Sequence, residues 1–151
     1  MLQRFEAFVT GITVCYRYIQ RIKSAEMTEL GLKGTHVMCL FYLHHSKESL
    51  TAAQLCQLCA EDKAAISRTL MTLHEKGYIQ TGEKRYRSPI ALTPAGCKVA
   101  SQVDNLIAQW VSFGGDGLSE EERSIFYKSL AHISENLHQK FDSSWQPGKE
   151  N

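Results

Sequence analysis

The sequence predicts a mainly α-helical chain with one small β-hairpin, and three observations carry that expectation. Apolar residues recur at intervals of three and four through most of the 151 residues, the spacing of a helix face turned to a core. Start signals for helices stand at Thr51-x-x-Gln54, Asp62, Thr93-Pro94 and Ser119-x-x-Glu122. Between Tyr78 and Leu92 the pattern changes to two short strand-like stretches around a polar turn.

Taken in order, the first element runs from about Leu2 to Met27. Its apolar stripe is Leu2, Phe5, Phe8, Val9, Ile12, Cys15, Tyr16, Ile19 and Ile22. Leu30-Gly31-Leu32-Lys33-Gly34 breaks the pattern, and Thr35 is expected to cap a second helix with Val37, Met38, Leu40, Phe41 and Leu43, ending near Ser46. His44 and His45 fall in its last turn, where the helix dipole favours a cation. Thr51 and Gln54 form a capping box for a short third helix that turns Leu55 and Leu58 inward. Asp62 caps a fourth helix, Lys63 to Lys76, which stops at Gly77. Tyr78 to Thr81 is strand-like, Gly82 to Ser88 turns, and Pro89 to Leu92 returns. Thr93 caps a fifth helix with Pro94 at its first position, and Gly114 to Gly117 ends it. Ser119 and Glu122 open a sixth, which places Ile125, Phe126, Leu130, Ile133, Leu137 and Phe141 on one face.

A hydrophobic fraction of 43% supports a real core, so the expectation is one domain, or a small domain with a helical extension. No apolar run approaches the roughly 20 residues that span a bilayer, and charges at Arg4 and Glu6 argue against a secretory signal. No membrane partner is expected, and the chain is placed in the cytoplasm. Five cysteines, Cys15, Cys39, Cys56, Cys59 and Cys97, are an odd count on helical segments and do not make a disulfide framework. The net charge is only +1, so any case for a polyanionic partner must come from local charge.

That local case lies between Thr51 and Gly96. Helix, tight turn, second helix and basic-tipped hairpin make a winged helix-turn-helix, a unit whose second helix fits the major groove of duplex DNA. On the fourth helix Ile66, Leu70 and Leu73 are spaced to face the core. Lys63, Ala64, Ser67, Arg68 and Met71 point the other way. Small residues allow close approach, and an Arg can make two hydrogen bonds to a guanine edge. Lys63 and the helix N-terminus suit phosphate. The hairpin tip adds Lys84, Arg85, Tyr86 and Arg87, which can lie on backbone phosphate or enter a minor groove. The helix caps Thr35 and Thr51 complete the set of DNA-binding candidates.

These segments resemble the MarR family of bacterial winged-helix transcription regulators. The resemblance covers most of the chain: LGLKGTHVMCLFYL from Leu30, SLTAAQLCQLCAEDKAAISRTLMTLHEKGYIQ, LTPAG from Leu92, and LSEEERSIFYKSL from Leu118. LHEKGYI and LTPAG at this separation are the most specific phrases. The resemblance implies a homodimer that reads a pseudo-palindromic operator, most often as a repressor. It implies a helical dimerisation layer from residues 1–34 and 94–142, a DNA-binding lobe from 35–93 and a flexible tail from 143–151. The long apolar stripes point independently to a partner subunit. The family's wing usually carries an Asp-x-Arg pair; here Lys84 to Pro89 holds no Asp, and the hairpin is a few residues short.

Many family members hold a small-molecule effector between lobe and dimer layer, and Tyr16, Met38, Phe41 and Tyr42 are candidates to line that cleft. A peroxide-sensing branch carries a cysteine in its first helix near tyrosines; Cys15, beside Tyr16 and Tyr18 but about two turns closer to the linker, is the redox candidate, with packing the preferred reading. Cys56-x-x-Cys59 has no second ligand pair nearby and reads as apolar filler. The six histidines show no i,i+4 metal pair. No metal site, cofactor or catalytic set is expected. A winged-helix module that binds protein rather than DNA is the alternative, favoured by the near-neutral charge and the atypical wing.

Overall fold

The computed structural model describes residues 1–28, 31–82 and 88–144. In chain order the elements are α1 (Leu2–Met27), α2 (Gly34–His45), α3 (Ala52–Cys59), α4 (Lys63–Glu75), β1 (Ile79–Thr81), β2 (Ile90–Leu92), α5 (Pro94–Gly114) and α6 (Glu120–Ser144). They pack as two compact units, Met1–Ala108 and Gln109–Asn151.

In the first unit, α2, α3 and α4 pack on one another, and β1 pairs antiparallel with β2 with Ile79 opposite Leu92 and Thr81 opposite Ile90. Leu50 adds a single bridge to the outer edge, its carbonyl accepting from Ile90 N–H at 2.8 Å. The core is Leu32, Val37, Cys39, Leu40, Leu55, Ile66, Leu73, Ile79, Ile90, Val99, Ala100 and Val103, with Leu50 at its rim. Burying each of these larger side chains contributes about 1.5–3 kcal/mol. The second unit is anchored locally: Arg123 donates from Nη2 to the Gly115 carbonyl at 2.7 Å and from Nε to that of Leu118 at 3.3 Å.

The capping chemistry accounts for most boundaries. Thr51 Oγ1 accepts from Gln54 N–H at 3.3 Å while Gln54 Oε1 accepts from Thr51 N–H at 2.9 Å. Asp62 Oδ1 accepts from Ala65 N–H at 2.7 Å, and Ser119 and Glu122 repeat the reciprocal box. Each such cap is worth about 1 kcal/mol.

Two local expectations need correcting. Thr35 does not cap α2: the helix starts two residues earlier than such a cap would place it, at Gly34, with Lys33 as the extended N-cap residue. His36 takes the capping part, its Nδ1 accepting from Lys33 N–H at 2.7 Å. Leu58 does not face inward; it is 42% exposed. The inward stripe of α3 is the buried Leu55 with the partly buried Ala52, Cys56 and Cys59, a three-and-four spacing that leaves Leu58 to one side.

The two most specific phrases of the sequence are physically one joint. Gly77 takes φ +71°, a left-handed value that ends α4 and sends the chain into β1. Thr93 Oγ1 donates to the Gly77 carbonyl at 2.6 Å, and Thr93 N–H donates to that of Tyr78 at 3.0 Å. The same Thr93 hydroxyl accepts from Gly96 N–H at 3.0 Å and so caps α5. A Cβ on Gly96 would land on the Tyr78 carbonyl oxygen. LHEKGYI and LTPAG are therefore tied because the start of α5 sits directly on the exit of α4.

Candidate nucleic-acid interface

The candidate interface is built on α4. Its inner face is sealed: Ile66, Thr69 and Leu73 are buried, and Leu70 is half-buried against the same core. Its outer face carries Lys63, Ala64, Ser67, Arg68 and Met71, all exposed. A helix held this way on one side presents a fixed row of side chains on the other. The row offers a guanidinium with five donors, a hydroxyl that donates and accepts, a short methyl, and a thioether for apolar contact with a thymine methyl.

The tight turn before α4 sets its direction. Ala60 closes α3 with φ +53°, a left-handed value that costs a non-glycine residue about 1–2 kcal/mol. Asp62 then restarts the helix. Thr51 is half-buried, and its hydroxyl is engaged in the box with Gln54. Thr35 lies in the first turn of α2. Lys84, Arg85, Tyr86 and Arg87, the expected wing tip, lie outside the described residues; β1 and β2, which lead to and from it, are in place.

Of the effector-cleft candidates, Phe41 and Tyr42 meet edge to face with centroids 5.4 Å apart, and Tyr42 and Met38 are half-buried. Tyr16 is 63% exposed and lines a concavity of about 770 Å³ with α1 residues including Arg17, Gln20 and Arg21. Cys15 is exposed.

Two side-chain groupings escaped sequence reasoning. Cys59 Sγ lies 3.8 Å from Cys39 Sγ, across α2 and α3. The hydrogen bond between them pulls the Cys59 thiol down against its burial, and the same bond with burial pushes Cys39 up. Asp104 of α5 also accepts from both histidines at the end of α2, at 2.9 Å from His44 Nδ1 and 2.9 Å from His45 Nε2. Both pairings join residues far apart in sequence, and neither carries a spacing signal.

A core-held helix after a tight turn, followed by a β-hairpin, defines a winged helix-turn-helix protein. The MarR family model matches residues 30–85. That match spans α2, α3, α4 and β1, and over this segment the chain is similar to the MarR family. Among solved structures it is similar to a MarR-family transcriptional regulator from Listeria monocytogenes complexed with a 26mer DNA, at 18% identity and TM-score 0.82 over 95% of this chain and 97% of that one. It is similar to the transcriptional regulator SlyA at 20% identity and TM-score 0.81, covering 91% and 99%. It is also similar to S. aureus MepR in its DNA-binding conformation, at 18% identity and TM-score 0.78, covering 86% and 98%. No curated protein matches it in sequence. No helix among the described residues is long and apolar enough to cross a membrane.

Proposed function

We propose that this chain is a sequence-specific, double-stranded-DNA-binding transcription regulator, acting as a homodimer on a pseudo-palindromic operator, most simply as a repressor. The observation that carries this reading is the division of α4: Ile66, Thr69 and Leu73 locked inside, Arg68, Ser67, Ala64, Lys63 and Met71 outside. Arg68 is the base-reading residue, in two hydrogen bonds to a guanine edge. Lys63 and the wing cations Lys84, Arg85 and Arg87 hold phosphate, with Tyr86 between them. The Listeria relative's complex with DNA and the DNA-binding conformation of MepR support the same use of the shared fold.

The dimer follows from surface that one chain leaves uncovered. Along α1, Leu2, Phe5, Val9 and Ile19 are exposed; along α6, Ile125, Phe126, Leu137 and Phe141 are. Apolar stripes of this length mark an interface. Residues 1–34 and 94–142 form the dimerisation layer in this reading. An effector bound beside Tyr16, Met38, Phe41 and Tyr42 changes the spacing of the two recognition helices and releases DNA.

Fluorescence anisotropy with labelled DNA from upstream of the protein's own gene tests the proposal. Saturable binding that weakens steeply with added salt and exceeds binding to shuffled DNA is expected. Equal, weak binding to both duplexes would leave the winged helix as a protein-interaction module.

A further inference from the structure

We propose that His44, His45 and Asp104 form a three-ligand site for a divalent transition-metal ion, clipping the end of α2 to the middle of α5. The two imidazoles come from adjacent residues in the last turn of α2, yet both reach the same carboxylate, each at 2.9 Å. The three ligand atoms lie within 4.8 Å of one another. An ion about 2.0–2.2 Å from each nitrogen and oxygen fits between them after small side-chain rotations.

The donor set selects the ion. Two imidazole nitrogens and one carboxylate favour zinc, nickel or cobalt over magnesium or calcium, which take oxygen ligands. The surroundings suit an accessible site. The His44 and Asp104 side chains are about a quarter exposed and that of His45 about half, at 28%, 26% and 53%. Phe41 flanks the site, its ring centroid 4.6 Å from that of His45. Three protein ligands leave a coordination position for water or another small ligand. The carboxylate that orients the imidazoles in the metal-free protein becomes a ligand itself, and its hydrogen bonds from the two rings are exchanged for bonds to the ion.

The site ties elements that the DNA-reading lobe uses. α2 packs against α3 and α4, and α5 leaves the lobe from the Thr93 joint. The metal proposal itself stands without any DNA-binding activity, and its test reads the ion alone.

Full-length protein stripped with a chelator is titrated with Co²⁺ under reducing conditions. Ligand-field absorption gives geometry and stoichiometry, and calorimetry with Zn²⁺ gives affinity. The expected result is one ion per chain, without thiolate charge-transfer bands. Affinity should fall in His45→Ala and in Asp104→Asn by at least the ~10–100-fold that losing an outer partner of a metal ligand costs. His45 is exposed enough to be replaced without harm to the fold, and Asp104→Asn keeps the side-chain shape. An unchanged melting temperature of the metal-free variants separates ligand loss from unfolding. Three results overturn the proposal: no saturable binding, equal affinity in wild type and both variants, or thiolate bands that move the ion to the cysteines.

Discussion

His36 shows how one side chain ties local structure to pH. Burial, and then the charges of Lys33 and Lys76, hold its imidazole below the ordinary range. Its Nδ1 accepts a backbone N–H, which only the unprotonated nitrogen can do. As pH falls through about 6.5 the unfolded chain takes up a proton there and the native chain does not. The His36 contribution is therefore complete above that pH and declines as pH drops toward the lowered native value. His36→Asn, which keeps an acceptor near the Nδ1 position, should lose less stability between about pH 7 and pH 5.5 in urea unfolding. Identical pH slopes for both proteins would show that His36 does not titrate on unfolding. Gly96 makes a steric claim at the same scale. Gly96→Ala puts a methyl on the Tyr78 carbonyl and should destabilise the fold by about 1–3 kcal/mol in the same assay. A neutral substitution would mean that the joint between α4 and α5 is looser than described.

At the scale of elements, caps and stripes were legible because their partners lie three or four residues away. Thr51 with Gln54, Asp62, Thr93 with Pro94, and Ser119 with Glu122 each mark a helix start from their own short reach. Lys33 was hidden because an imidazole, rather than a hydroxyl or carboxylate, supplies the acceptor at the start of α2. Leu58 misled because an eight-residue helix is too short for its apolar residues to fix their own phase. Pairings such as Asp104 with His44 and His45 depend on tertiary contact between α2 and α5, which no local period encodes. The outward row of α4 was readable from the inward one, since Ile66 and Leu73 leave only one face for Arg68. The wing belongs to this scale as a proposal. Neutralising Lys84, Arg85 and Arg87 should weaken binding to all duplexes alike and lower the salt slope by about one unit per lost phosphate contact. A loss confined to the preferred sequence would instead give the wing a base-reading part.

At the scale of the molecule, exposed apolar surface is the main unexplained cost in a single chain. Phe5 is 67% exposed, and Leu137 and Phe141 are more than half exposed. Covering such side chains returns about 25 cal/mol per Å² buried. Sedimentation equilibrium should therefore report a dimer at concentrations on the order of micromolar, and Leu137→Asp should shift it toward monomer. A wild-type chain that stays monomeric throughout that range would remove the symmetric operator from the account, because one lobe reads only one half-site.

The most direct test of the central claim replaces Arg68 with Ala and measures Kd by anisotropy for the preferred duplex and for random DNA, at one fixed salt concentration. If α4 reads bases through that guanidinium, affinity for the preferred duplex falls by the equivalent of about 1–3 kcal/mol per half-site while random DNA binds nearly as before. Equal losses on the two duplexes, or none on either, would contradict it.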